Sequence, residues 1–130
     1  MEKRPSKYLT KYRIQKIQSL EDYEFLEALR NIIRANIRNT SFNVLFIANE
    51  LAISERQLNR KTKSIAGITI GNFIRETKLT EAKYMLEKRS HNTIAEIAQA
   101  IGFKKPSYFS KIYTDRFGKR PIEYSNNSEK

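Results

Sequence analysis

Apolar residues recur along this chain at steps of three and four positions, the spacing that lines one face of an α-helix. The first such run follows Ser19. Glu21, Asp22 and Glu24 lie at its start, where negative charge suits the N-terminus of a helix. The pattern therefore predicts an amphipathic helix with one buried side, at positions Phe25, Leu26, Leu29, Ile32, Ile33 and Ile37.

Two shorter helices separated by a tight turn are predicted next. Val44–Leu51 supplies the first helix, and Ala52 and Ile53 form the turn. Ser54 is the expected N-cap of the second helix, which Leu58 anchors inward. The outer face of that second helix carries Arg56, Asn59, Arg60 and Lys63.

These four side chains have the chemistry that reads duplex DNA. Arginine pairs with guanine, asparagine with adenine, and lysine with the phosphate backbone. A charged helix face that is merely solvated is the alternative. The tight turn favours DNA reading, because it makes the second helix a protruding element.

A longer helix is predicted from its N-cap Thr69 to Lys88, and it carries two apolar faces. Such a helix packs against a partner on each side. One face holds Ile70, Phe73, Ile74, Thr77, Tyr84 and Met85, and the opposite face holds Leu79, Ala82 and Leu86.

A segment similar to the first short helix and its turn occurs again after the long helix. Ile47–Ile53 aligns with Ile97–Phe103 at a constant offset of 50 residues, and one further residue makes the offset 51 beyond the second turn. The chain is therefore predicted to contain a duplicated unit, each copy packing one face of the long helix. The pairs at the larger offset include Leu58 with Phe109, Arg60 with Lys111, Gly67 with Gly118, Ile70 with Pro121, and Phe73 with Tyr124.

The formal net charge of +11 and the isoelectric point near 10.0 call for an anionic partner, either nucleic acid or a membrane surface. No apolar run approaches the roughly 18 residues of a membrane-spanning helix, so no membrane contact is expected. Cysteine is absent, and the single histidine has no ligand partners nearby, so we expect no catalytic residue, metal or cofactor. A cytoplasmic location is the default.

Four motifs carry a family resemblance. Together with the two helix-turn-helix units, they resemble the AraC/XylS family of bacterial transcription regulators over about Phe25 to Tyr124. The motifs are K-L-x-x-A-x-x-M-L at Lys78–Leu86, I-x-x-I-A-x-x-I-G-F at Ile94–Phe103, P-S-Y-F-S at Pro106–Ser110, and F-G-x-x-P-x-x-Y at Phe117–Tyr124.

The resemblance implies an all-α domain in which two helix-turn-helix subdomains are joined by a long linker helix, with two reading helices in adjacent major grooves of double-stranded DNA. A helix of about 20 residues spans roughly 30 Å, close to the ~34 Å between successive major grooves. The domains expected are a basic arm (1–20), the first subdomain (21–68), the linker helix (69–89), the second subdomain (90–124) and a disordered polar tail (125–130).

Carried over by position, the resemblance assigns roles to individual residues. Tyr108 and Phe109 are expected in the core, and Pro106 fits the first turn of the second reading helix. The base-reading residues are Arg56, Asn59, Arg60, Lys105, Ser107 and Lys111, and the phosphate-binding residues are Lys61, Lys63, Lys104, Lys119 and Arg120.

Two positions depart from the family pattern. Ala52 stands where the family often has Gly or Asn, which strains the turn by about 1 kcal/mol if a positive φ is required there. Lys78 replaces a frequent Arg, which puts any bidentate contact of that Arg in doubt.

The lead-in to the first helix resembles the junction ahead of the output domain in response regulators and hybrid two-component regulators. We therefore expect a C-terminal output domain whose upstream receiver or effector-binding domain is missing from this chain; a free-standing regulator is the alternative. Family members also imply contact with RNA polymerase, as a protein-interaction module that can coexist with DNA binding. The alternative function is a non-specific architectural nucleic-acid-binding protein, which would bind with a steep salt dependence and little sequence preference.

Overall fold

The computed structural model describes residues 19–39, 42–89, 91 and 93–128, with side chains up to residue 124. All regular secondary structure in these ranges is helical, which confirms the predicted all-α class. Most of the predicted basic arm, residues 1–18, lies outside them. The helices are α1 (Leu20–Ala35), α2 (Val44–Glu50), α3 (Glu55–Ala66), α4 (Ile70–Lys88), α5 (Ile94–Ala100), α6 (Pro106–Phe117) and α7 (Pro121–Ser128).

The chain forms two compact units. The first contains the described residues up to Ile33 together with Asn43–Ile74, and the second contains Arg34–Phe42 and the residues from Arg75 onward. Helix α4 therefore contributes to both units, its first turn to one and the remainder to the other. The segment between α1 and α2 belongs to the second unit, although residues of the first unit flank it on both sides.

The core of the first unit is built from the apolar positions of four helices. Thr62 is also buried there, and its hydroxyl donates to the Leu58 carbonyl oxygen at 2.7 Å, so its polar group is satisfied. The predicted anchors Ile47, Ala48 and Leu58 are confirmed as buried. The core residues are Leu26, Leu29, Ile33, Ile47, Ala48, Leu58, Ile65, Ala66, Ile70 and Phe73.

Side-chain caps fix where the helices begin. Ser54 and Gln57 form a reciprocal capping box at α3, which confirms the predicted cap. Thr93 and Glu96 form a second capping box at α5. The hydroxyl of Thr69 accepts the Asn72 amide hydrogen at 3.2 Å, so the predicted start of the long helix is also confirmed.

The second unit packs around one face of α4 and an aromatic cluster. Tyr113 is fully buried, and its hydroxyl lies 2.7 Å from that of Tyr124. Burial and this hydrogen bond raise the pKa of Tyr113 well above its usual range, so it is neutral at physiological pH. The buried residues of this core are Leu79, Ala82, Leu86, Ile97, Ala98, Ile101, Phe109, Ile112 and Tyr113.

The predicted duplication is visible in the backbone. Ala52 and Gly102, 50 residues apart, both have positive φ, at 58° and 83°. In each turn the next residue donates its amide hydrogen back to an alanine carbonyl: Ile53 to Ala48 at 3.0 Å, and Phe103 to Ala98 at 2.9 Å. The strained φ expected at Ala52 is therefore confirmed.

Three predicted placements are corrected. Tyr84, assigned to an apolar face of the long helix, is 59% exposed, and the Lys88 ammonium lies over its ring. Tyr108, assigned to the core, is 48% exposed, since it lies on the outer side of α6 next to buried Phe109. The predicted polar tail is helical as far as Ser128, because α7 begins at Pro121 and continues into it.

Candidate nucleic-acid interface

The outer face of α3 presents cationic donors. Arg56, Arg60 and Lys63 are all exposed. Leu58, Thr62, Ile65 and Ala66 are buried on the opposite side, so the helix cannot rotate without exposing core residues. The fold therefore holds these three side chains outward as one face.

Asn59 lies on the same outer face but also makes a structural bond. Its side-chain oxygen accepts the amide hydrogen of Ile70, the first residue of α4, at 3.0 Å. An amide hydrogen is a donor only, so the oxygen of Asn59, and not its nitrogen, must occupy this position. One half of the Asn59 amide is thus already in use inside the first unit.

Lys61 occupies a different side of α3. Its ammonium lies 4.8 Å from the centre of the Phe25 ring, a cation–π contact that fixes the direction of an exposed side chain. The predicted phosphate-binding residue Lys61 therefore contacts α1 through its ammonium group.

Helix α6 is the counterpart of α3 in the second unit. Lys105 occupies its N-cap position without a side-chain cap bond, and Pro106 occupies its first turn, as predicted. Lys104, Lys105 and Ser107 are exposed, whereas Phe109, Ile112 and Tyr113 anchor the buried side. The start of α6 therefore carries two lysines and a hydroxyl on its solvent side.

Lys111 lies one turn further along α6, where its ammonium is 3.2 Å from Asp115. Both side chains are well exposed, at 72% and 67%, so this pair is weak and an anionic ligand can compete with it.

The turn after α6 holds the last two predicted phosphate-binding residues. Lys119 lies 4.0 Å from the centre of the Tyr124 ring. Arg120 donates to Glu123 at 2.9 Å, and this hydrogen bond, together with the arginine charge, lowers the pKa of Glu123. Both cations therefore have intramolecular contacts that orient them.

The comparison with known families settles the class of the chain. A family described as "Helix-turn-helix domain" matches residues 47–127, which include α3, α4 and α6. The chain belongs to the AraC-type helix-turn-helix family. This family consists of DNA-binding domains of transcription regulators.

Individual relatives extend this AraC-type assignment. The chain is 35% identical over 105 residues to histidine kinase P4 of Formosa agariphila, covering 81% of this chain and 8% of that protein. It is 26% identical over 114 residues to the transcriptional activator RhaR of Yersinia pestis, covering 88% of this chain and 39% of RhaR. The chain thus spans less than half the length of either relative.

A solved structure shows the same AraC-type arrangement. The AraC-type transcriptional regulator from Chromobacterium violaceum superimposes with a TM-score of 0.73 at 27% identity, covering 82% of this chain and 93% of that one. The fold inferred from the sequence motifs is therefore shared with an AraC-type regulator over most of the chain.

One ion pair that joins α6 to α4 in this AraC-type domain was not predicted from the sequence. Two nitrogens of Arg116 in α6 donate to the Glu76 carboxylate in α4. Nε lies 2.9 and 2.8 Å from the two carboxylate oxygens, and Nη2 lies 2.5 Å from one of them. The side chains are only 21% and 11% exposed. No local signal reveals this pair, because the partners are far apart in sequence and each sits in an ordinary helical pattern.

Lys78, noted above as a departure from the expected family pattern, is partly buried. Its ammonium lies 5.3 Å from the centre of the Phe103 ring, and burial lowers its pKa. Gly102 lies beside it, and a β-carbon there would be 2.2 Å from the Ile37 carbonyl oxygen. Glycine is therefore favoured here by the positive φ and required by the close backbone approach.

No group of three or more metal-binding side chains occurs among the described residues. Within the same ranges no helix combines the length and the apolar character that crossing a bilayer requires.

Proposed function

We propose that this chain binds duplex DNA sequence-specifically and places α3 and α6 in successive major grooves as the output domain of a transcription regulator. The observation that carries the proposal is the repeated presentation of a cationic outer face. In each copy of the unit, a tight turn with positive φ precedes a helix whose apolar side is locked in a core and whose donors face solvent. Helix α4 has 19 residues, and a helix of that length spans roughly 30 Å.

We propose two roles for the donors. In α3, base reading is assigned to Arg56 and Arg60, because the Asn59 oxygen already accepts the Ile70 amide hydrogen. In α6 it is assigned to Lys105, Ser107 and Lys111. Phosphate binding is assigned to the remaining cations, Lys61, Lys63, Lys104, Lys119 and Arg120.

We also propose that the chain acts in the cytoplasm as the output region of a larger two-component regulator. The likeness to a histidine kinase, of which the chain spans 8%, supports this context. Contact with RNA polymerase remains an expectation from the family resemblance.

The first test is selection of bound sites from a random duplex library at near-physiological salt. We expect two short sequence blocks about one helical turn apart. A pool without enrichment, despite salt-sensitive binding to any duplex, would favour the architectural alternative instead.

The second test compares two cations on α3. Arg60→Ala should cost about 1–3 kcal/mol on the selected site and relax the preference at one base pair. Lys63→Ala should weaken binding to all duplexes alike and reduce the slope of log affinity against log salt by about one. Lys88→Ala, which removes the same charge at the end of α4, is the matched control and should leave the base preference unchanged. Indistinguishable behaviour of Arg60→Ala and Lys63→Ala on matched and mismatched duplexes would refute the assignment of α3.

A further inference from the structure

The bond between Asn59 and Ile70 joins a reading helix to the start of α4 within the first unit. Ile70 is the first residue of α4, and amide hydrogens in the first turn of a helix have no acceptor within that helix. Ile70 is also buried, so its amide hydrogen is poorly placed to use water. The Asn59 oxygen supplies the acceptor at 3.0 Å.

The second copy of the unit lacks both partners of this bond. At the offset of 51 residues, Ser110 takes the place of Asn59, and Pro121 takes the place of Ile70. Pro121 is the first residue of α7 and is fully buried, but proline has no amide hydrogen to satisfy. The copy that has no donor therefore also has no asparagine to accept from it.

The same bond limits what Asn59 can do at a base edge. Asparagine recognises adenine with both halves of its amide, the oxygen accepting from one adenine nitrogen and the amide nitrogen donating to another. With the oxygen held by Ile70, the bidentate contact would have to compete with a bond that satisfies a buried donor. Exposure on the outer face of α3 does not by itself distinguish a residue that contacts bases from one that positions the helix.

We infer that Asn59 is a positioning residue, which fixes α3 against the first turn of α4 and leaves base reading in that helix to Arg56 and Arg60. Ser110 and Pro121 are the matching solution in the second copy. This inference rests on the proposed DNA-binding function for its consequence in recognition. The bond itself can be tested independently of DNA.

The test transplants the second copy's pair into the first. Four proteins are compared: the wild type, Asn59→Ser, Ile70→Pro, and the double variant. Ile70→Pro by itself lowers stability, because the side chain is shortened. The effect of Asn59→Ser is therefore measured separately with Ile and with Pro at position 70, so that this loss cancels. Each protein is unfolded in urea, and the folded ones are used for selection of bound duplexes.

We expect Asn59→Ser to shift the unfolding equilibrium about tenfold when residue 70 is Ile, since a buried donor loses its acceptor. With Pro at position 70 the shift should be less than about threefold, because the donor is gone. The double variant should select the same base pairs as the wild type. An equal shift in both backgrounds, or loss of preference at one base pair whenever residue 59 is Ser, would overturn the inference.

Two further outcomes are distinguishable. If the wild type enriches no sequence, the proposed function fails, and the unfolding comparison still decides whether the Asn59–Ile70 bond matters. If Ile70→Pro does not fold, Asn59→Asp and Asn59→Leu replace it. Asp retains an acceptor oxygen and should stay near wild-type stability, whereas Leu should show about the tenfold loss; equal losses would refute the role of the acceptor.

Discussion

Replacing Gly102 by alanine tests a close backbone approach in the second unit. Two costs apply at this position. The φ of 83° lies in the left-handed region, which an alanine occupies at a cost of about 1 kcal/mol. The new β-carbon would also lie 2.2 Å from the Ile37 carbonyl oxygen, a backbone atom that cannot swing aside.

Relief of that overlap requires a shift of packed structure, which costs about 1–3 kcal/mol. We therefore expect Gly102→Ala to lower the free energy of unfolding by about 2–4 kcal/mol in total. The Lys78 ammonium, 3.4 Å from the same β-carbon position, would have to move as well.

Gly118→Ala is the matched control, because it separates the two costs. Gly118 has a similar φ of 75°, but a β-carbon there meets no atom within 4 Å. This variant should therefore lose only about 1 kcal/mol. Ala52→Gly, at the equivalent turn of the first copy, should gain up to about 1 kcal/mol by relieving a φ of 58°.

Urea unfolding followed by far-ultraviolet circular dichroism measures all three variants against the wild type. The ordering matters more than the absolute values. If Gly102→Ala is no less stable than Gly118→Ala, the approach of Ile37 does not constrain this turn and the argument is refuted. A loss of stability in Ala52→Gly would likewise contradict the strain inferred at Ala52.

Two further predictions concern the support of α6. Glu76→Gln should lower the free energy of unfolding by about 1–3 kcal/mol, because it removes the carboxylate from the largely buried Arg116 guanidinium. Asp115→Asn, in the exposed pair with Lys111, should cost less than about 0.5 kcal/mol. Equal losses of the two variants in urea unfolding would contradict this difference. Tyr113→Phe should cost about 1 kcal/mol at neutral pH. Because the pKa of Tyr113 is raised in the folded state, the unfolded chain ionises first, and wild-type stability should fall above about pH 10. The variant should show a shallower fall in unfolding experiments across that range, and an unchanged slope would count against the raised pKa.

Features set by local sequence could be predicted. The caps at Ser54 and Thr69 follow from residue type and position. The positive φ at Ala52 was expected from the family resemblance at that turn position. The apolar spacing located the core positions of α1, and in α3 it located Leu58, because burial of one helix face leaves a periodic trace in the sequence.

Features set by distant partners could not be predicted. Glu76 and Arg116 each look like solvated helix residues until the fold brings them together. Tyr84 and Tyr108 were predicted to be buried but are exposed. Residue type and spacing cannot distinguish a buried tyrosine from one whose ring packs on the protein surface while its hydroxyl remains solvated. Asn59 was placed on the correct face, but the spacing gave no indication that Ile70 would use its oxygen.

The membership of Arg34–Phe42 in the second unit has a consequence for synthesis on the ribosome. This segment emerges before most of the first unit, yet the Gly102 turn that receives Ile37 is translated much later. The first unit can close as soon as α4 begins to emerge, because domains fold from the N-terminus as they appear. Residues 34–42 then lack their packing partners until α5 and the turn that follows it have left the exit tunnel. The nascent chain therefore passes through a stage in which the first unit is folded while an early segment of the second unit still lacks its packing partners.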